Sequence, residues 1–400
     1  MRVLMTSWEY PPHVVGGLGA HVGALAPALA RLGVEVHVVT PLRTDSPAYE
    51  VAEGVHVHRI AAPGPAASYG AFYDQVRQAN AILAEACLAL RGEVGGFDLL
   101  HNHDWLTYFA AREAKHACHL PLVATIHATE RGRGHGNLAS TEARSINDTE
   151  WWLVYEAWRV ICCANYMAGE VQSFFEAPAD KLDVIPNGVD PNLFSYLDGV
   201  DLSAFRATYA RPDEKLVLFV GRIVREKGAE VLVRSAPKVL AEMPNTRFVI
   251  AGRGPELEAL RQLVHEMSLQ HHVNLVGFID DASRDKLYVT ADCAVFPSLY
   301  EPFGIVALEA MAAHTPVVAS EVGGLQEVVR HAETGITIYP NDPDSCAWGI
   351  LHTLQHPEWA RLRAENAYRA ILERYNWDAI ARETRLVYER VISERARTDW

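Results

Sequence analysis

The chain has 400 residues, and 36 Lys and Arg against 50 Asp and Glu give a formal net charge of −14. At roughly 150 residues per domain, this length implies two or three domains with cores of their own, and the acidic balance speaks against nucleic-acid or anionic-membrane partners. Charged residues at 22% and hydrophobic residues at 49% are globular values, so neither a disordered nor a fibrous chain is expected.

Short runs rich in Val, Ile and Leu at 3–6, 36–40, 55–60, 99–101, 122–126, 160–163 and 182–185 read as buried parallel strands. Helices are expected between them, notably over 20–31, 71–90 and 166–175. The segment Ile185-Pro186-Asn187-Gly188-Val189-Asp190-Pro191 combines two prolines with an Asn-Gly dipeptide and marks a hinge. The same rhythm then restarts, with strands at 217–220, 248–251, 273–276, 294–296 and 317–319. The last forty residues read as helical, with Ile380, Thr384, Val387, Tyr388 and Val391 at helical spacing, and can pack on either half. Two doubly wound domains with a ligand cleft between them follow, the chemistry lying in loops after strands.

Cys87, Cys118, Cys162, Cys163, Cys293 and Cys346 form no C-x-x-C pair, which fits a reduced, cytoplasmic setting. The apolar start at 3–6 is too short for a signal peptide, and no uncharged apolar stretch approaches about 18 residues, so neither export nor a membrane span is expected.

Gly16, Gly17 and Gly19 stand between the first strand and its helix, where backbone N–H groups can meet an anion or simply turn the chain. The G-x-G-x-x-G order of a dinucleotide site is missing. In the second half, Arg222 and Lys227 leave one glycine-framed loop, and a forked guanidinium with a point ammonium suits a diphosphate; the alternative is a solvated loop paired internally through Glu226. The sharpest stretch is Glu301-Pro302-Phe303-Gly304-Ile305-Val306-Ala307-Leu308-Glu309. Its two carboxylates can accept sugar hydroxyls, and the N–H groups of Phe303, Gly304 and Ile305 at a helix start can meet phosphate oxygens. In the first half, His101-Asn102-His103-Asp104 and His127 end two strands. They read either as hydrogen-bonded strand ends or as a metal-ligating H-x-H-D cluster of a hydrolase, with His127 and His135 completing the ligands. Residues 131–148 read as a long polar loop suited to a lid. Trp151, Trp152 and Trp158 read as core, with sugar stacking as the alternative.

Together these pieces resemble the family-4 retaining glycosyltransferases of GT-B fold. The likeness rests on Glu9-Tyr10-Pro11-Pro12 with Gly16-Gly17-Leu18-Gly19, His127, Ile185-Pro186-Asn187-Gly188-Val189-Asp190, Gly221-Arg222 with Glu226-Lys227-Gly228, Ala251-Gly252-Arg253-Gly254-Pro255, and Glu301-Pro302-Phe303-Gly304 with Glu309. It runs nearly the full length in order. The resemblance implies an α/β architecture of two doubly wound, Rossmann-like domains facing each other across a cleft. Residues 1–187 would form the acceptor-side domain, with helix 378–400 packing back on it, and 188–377 the nucleotide-sugar domain.

The resemblance also implies transfer of a hexose from a nucleoside diphosphate sugar to a carbohydrate, with no obligatory metal and no other cofactor, which disfavours the metal reading. Arg222 and Lys227 would neutralise the departing diphosphate, Glu301 would hold hydroxyls of the donor sugar, and Glu309 would bind the ribose. The N–H groups of Phe303, Gly304 and Ile305 would meet sugar and phosphate oxygens. Gly16 and Gly17 would approach the diphosphate, and His127 would contact the transferred sugar near the reacting carbon. Asp104, Glu130 and Arg131 fall on the acceptor side. No protein nucleophile is implied, because the leaving phosphate takes the proton of the incoming hydroxyl. Gly16-Gly17-Leu18, Asn102-His103-Asp104-Trp105 and His127 are similar to glucan synthases, which would make the donor ADP- or UDP-glucose and the acceptor an α-glucan. Val14, however, stands where those enzymes usually carry Lys. A synthase of a small glucoside or sugar phosphate such as maltose 1-phosphate, a nucleotide-sugar epimerase, and a glycan phosphorylase are the alternatives.

Overall fold

A computed structural model describes residues 1–43, 46–62 and 72–399. The chain divides into two compact units, Met1–Asn187 with Trp377–Trp400, and Gly188–Asn376. Ala71 and Trp400, the first residue of one expected helix and the last of another, lie outside the described residues.

The first unit holds β1 (Arg2–Thr6), β2 (Glu35–Pro41), β3 (Tyr49–Ala52), β4 (Val55–Ile60), β5 (Leu99–His103), β6 (Leu122–Ile126), β7 (Arg159–Cys162) and β8 (Leu182–Val184). They form one sheet in the order β3-β4-β2-β1-β5-β6-β7-β8. Every neighbouring pair is parallel except β3 with β4. β3 is a correction to the all-parallel expectation. Its outward Tyr49 and Val51 give it no buried run, and it forms because Glu53 and Gly54, at φ 49° and 81°, make a two-residue hairpin turn. Val3, Met5, Val36, Val38, Leu99 and Val123 bury the sheet face against Val22, Leu25 and Leu29 of helix Gly17–Arg31. Ile380, Val387, Tyr388 and Val391 of helix Trp377–Arg395 complete that core.

Two further expectations are corrected in this unit. The lid-like loop 131–148 is mostly helical, in Glu130–Arg133 and Thr141–Glu156, because Thr129 and Ser140 cap those starts by accepting the N–H of Gly132 and Ala143. Trp151 and Trp152 are not core: they are 37% and 46% exposed on the outer side of the second of these helices. Trp158 is half-buried, its Nε1–H donating to Glu394 at 2.7 Å.

The second unit holds β9 (Lys215–Val220), β10 (Thr246–Ala251), β11 (Val273–Gly277), β12 (Cys293–Phe296), β13 (Val317–Ser320) and β14 (Ile336–Ile338), all parallel, in the order β11-β10-β9-β12-β13-β14. β14 was not expected, since three residues carry too little pattern to read. Phe219, Phe248, Ile250, Val295 and Val318 pack with Leu232, Cys346 and Ile350 from the covering helices. In each sheet the chain first builds outward one way and then reverses. The reversal lies between β1 and β5 in the first unit and between β9 and β12 in the second, and ligands of such sheets sit outside the carboxyl ends at that switch. All six cysteines are free and buried. Among the described residues no helix is long and apolar enough to cross a membrane.

Candidate active site

In the second unit, the loops after β9 and β12 are joined by backbone bonds: the Glu226 carbonyl accepts the N–H of Leu299 at 2.8 Å and of Tyr300 at 3.3 Å. Gly228 makes this approach possible. Its φ is 67°, and a Cβ there would lie 1.9 Å from the Pro297 carbonyl oxygen. The result is that Lys227 Nζ donates to Glu301 Oε2 at 2.6 Å, with side chains only 20% and 8% exposed. Ser298 Oγ reaches the same oxygen at 3.4 Å. Arg222, from the same loop as Lys227, is about half exposed and only loosely in contact with Glu226, at 3.7 Å.

Gly304, at φ 102°, caps the start of helix Ile305–Ala312 with no side chain accepting its first N–H groups. A Cβ on Gly304 would meet Leu325 Cδ1 at 2.6 Å. Glycine therefore turns the chain so that the uncapped positive end of the helix, at Ile305, follows directly after Glu301 and the buried Phe303. Glu309, half-buried on that helix, accepts the Tyr288 Oη–H at 3.1 Å. Burial raises its carboxyl pKa, and the Arg284 guanidinium opposes the rise. Two cations, two carboxylates and a bare helix start thus gather at the switch point of one sheet, a set able to hold a diphosphate and sugar hydroxyls. Ser298, Tyr288 and Arg284 were not singled out from sequence. None belongs to a recognisable motif: Ser298 stands three residues before Glu301 in the same loop, and Arg284 and Tyr288 lie on helix Asp281–Thr290, which packing brings to Glu309.

In the first unit, the glycine turn before helix Gly17–Arg31 differs from expectation. Glu9 Oε2 accepts the N–H of Val15 at 2.8 Å and of Gly16 at 3.1 Å, so the chain's own carboxylate occupies the position expected for a ligand phosphate at Gly16. Gly17 is the first residue of the helix itself.

At the end of β5, Asp104 adopts φ 56° and its Oδ1 accepts the His127 N–H at 2.7 Å. Burial pushes this carboxyl up to about 6. The His127 ring, its Nε2 3.2 Å from His103 Nδ1, is pushed down to about 3 by burial and then by Arg133, so it is neutral. His101 is structural: Nδ1 lies 2.6 Å from Tyr388 Oη and Nε2 2.8 Å from Thr125 Oγ1. The H-x-H-D cluster therefore does not assemble as read, because His101 and Asp104 are committed to the fold. Glu130 lies 3.8 Å from Arg133, and its N–H is held by both Glu150 oxygens at 2.9 and 3.0 Å. Arg131 stacks its guanidinium 4.9 Å above Phe174. His21 and Glu150 were missed, and Glu9 was read only as part of the Glu9-Tyr10-Pro11-Pro12 stretch. His21 offered one signal, its position on the first turns of the helix after the glycines.

Two doubly wound parallel-sheet units, with paired cations and carboxylates at a switch point, define a nucleotide-sugar-dependent transferase of GT-B fold. Residues 15–193 match the family described as Glycosyltransferase Family 4, and residues 203–389 match Glycosyl transferases group 1. The chain belongs to these group 1, family-4 glycosyltransferases and is a hexosyltransferase of the glycogen-synthase-like kind. It is 42% identical to a protein described as an uncharacterized glycosyltransferase of Methanocaldococcus jannaschii, over 97% of this chain and 98% of that one. It is 35% identical to the glycogen synthase of Mycobacterium tuberculosis, over 97% and 94%. Among solved structures it is similar to sucrose-phosphate synthase from Thermosynechococcus elongatus, with TM-score 0.83, 27% identity, and coverage of 98% and 99%.

Proposed function

We propose that the enzyme transfers glucose, with retained α configuration, from ADP- or UDP-glucose to a soluble carbohydrate such as an α-glucan, in the cytoplasm and with no metal or other cofactor in the transfer. The observation that carries this reading is the Lys227–Glu301 contact at the sheet's switch point, with Arg222 on the same loop. On bond cleavage, negative charge grows on the diphosphate, and Lys227 and Arg222 stabilise it where a metal would otherwise be needed. Glu301 exchanges part of its bond with Lys227 for a donor-sugar hydroxyl. The N–H groups at Phe303, Gly304 and Ile305 meet sugar and phosphate oxygens, Glu309 binds the ribose, and neutral His127 hydrogen-bonds the transferred sugar. The leaving phosphate oxygen accepts the proton of the incoming hydroxyl, on the face from which it departs. Likeness to a glycogen synthase supports glucose and an α-glucan, and six free, buried cysteines support a reducing compartment.

A second reading, a sugar-phosphate acceptor, is favoured by the likeness to sucrose-phosphate synthase and by Val14 at the position where glucan synthases usually carry Lys. A screen of ADP-, UDP- and GDP-glucose against maltooligosaccharides, glycogen and sugar phosphates, read by mass spectrometry, separates the two. Hexose increments on maltooligosaccharides that persist in EDTA support the main reading. Product only on a sugar phosphate moves the assignment to the second, and donor consumption without any acceptor defeats both.

A further inference from the structure

One cluster of buried polar atoms in the first unit lacks partners. His21, on the first turns of helix Gly17–Arg31, and His103, the last residue of β5, are buried, while His127, after β6, is partly exposed. Their rings converge, with centroids 4.7 Å apart for His21 and His127 and 5.5 Å for His103 and His127. One ring nitrogen from each lies within 4.8 Å of the other two. Nε2 of His21 and Nε2 of His103 are buried with no hydrogen-bond partner among the described residues. Such orphans are uncommon and call for an explanation.

The chemistry of the three rings suits a Lewis acid. A neutral imidazole ring carries one lone pair, the donor a Lewis acid takes. Asn187 Oδ1 lies 2.7 Å from His21 Nδ1. A carbonyl oxygen only accepts, so Nδ1 is the N–H and the lone pair sits on the orphan Nε2. Metal-ligating histidines are oriented in this way by a carbonyl on their other nitrogen. In a tetrahedral site with Zn–N of about 2.0–2.1 Å, ligand nitrogens stand about 3.3 Å apart. His103 Nδ1 and His127 Nε2 stand 3.2 Å apart in a ring-to-ring hydrogen bond that an ion would replace, and the three donor atoms, all within 4.8 Å of one another, reach the ligand spacing by shifts of at most about 1.5 Å. A second grouping, Glu35 with His37 and His56, lacks these features. There Arg2 holds the Glu35 carboxylate at 2.6 Å, and both His37 nitrogens are bonded, to Glu35 and His58.

We propose that His21, His103 and His127 bind one divalent transition-metal ion, Zn²⁺ or Co²⁺, with the fourth position open on the His127 side. The ion is an inhibitor and not a cofactor, because His127 is the ring assigned to the transferred sugar and cannot serve both. That consequence rests on the function proposed above; the binding itself does not.

Titrating the EDTA-stripped full chain with Co²⁺ and following its visible absorption tests the site. One Co²⁺ per chain with tetrahedral absorption, displaced by Zn²⁺, is expected. His21→Asn should weaken binding at least about tenfold, and Asn187→Ala about 10–100-fold, with thermal unfolding confirming that each variant is folded. Where a buried substitution costs the fold, His127→Ala, at the partly exposed position, takes its place and should lose the tetrahedral band. No band in the folded wild type, or a band that survives His127→Ala and disappears in His56→Asn, overturns the proposal. Zn²⁺ inhibition competitive with the sugar donor is expected separately. Binding without inhibition leaves the metal site standing and removes His127 from the sugar.

Discussion

Lys227 and Glu301 are 74 positions apart in sequence and 2.6 Å apart in space. Removing either leaves its partner half-desolvated and strips one group from the proposed charge-stabilising set. Lys227→Ala and Glu301→Gln should each lower nucleoside diphosphate release by about a hundredfold or more, as for loss of an oxyanion donor. Turnover like wild type in both variants rejects the site. Glu150 gives a pH prediction. Burial pushes its carboxyl well above the usual 4.5 even though both oxygens accept the Glu130 N–H. A raised pKa means the folded state holds its proton more tightly, so this group's contribution is fully present below pH 4.5 and lost as pH rises through the folded value. Glu150→Gln keeps one acceptor and removes the charge. Its melting temperature should exceed wild type at pH 8, and the gain should vanish by pH 4.

At the scale of elements, Gly228 decides whether the loops after β9 and β12 close up. Gly228→Ala places a Cβ against the Pro297 carbonyl at a positive φ, and neither backbone can yield without separating the loops. It should cost about 3 kcal/mol or more by urea denaturation and lower activity as well. The central strands were legible because each is a buried, mostly apolar run, so β1, β6, β9 and β12 fall where the apolar runs stand. β3 escaped because its outward Tyr49 and Val51 leave no buried run, and β14 because three residues carry too little pattern although Ile336 and Ile338 are buried. The helical residues within 131–148 escaped because their polar faces resemble a loop, and only the Thr129 and Ser140 caps announce them.

At the scale of the molecule, the two units have separate cores, and the terminal helix belongs to the first. Tyr388 is its anchor, fully buried with Oη 2.6 Å from His101 Nδ1. Tyr388→Ala should destabilise the first unit by about 3–5 kcal/mol. In calorimetry one transition should move down while that of the second unit stays. Equal movement of both, or of neither, contradicts this placement of the helix.

Local signals in the sequence determined the doubly wound rhythm, the break near Pro186, and Arg222, Lys227 and Glu301 as the groups to watch. Apolar runs, prolines and glycine-framed charges act within a few residues, so a linear reading captures them. Only the tertiary structure decided which of those groups touch. β9 and β12 are neighbours although two strands intervene in the chain, and that adjacency joins Lys227 to Glu301. In the first unit, the neighbouring strands β1, β5 and β6 likewise brought His21 to His103 and His127. Strand order is fixed by how whole faces bury against one another, and no local stretch of sequence carries that information.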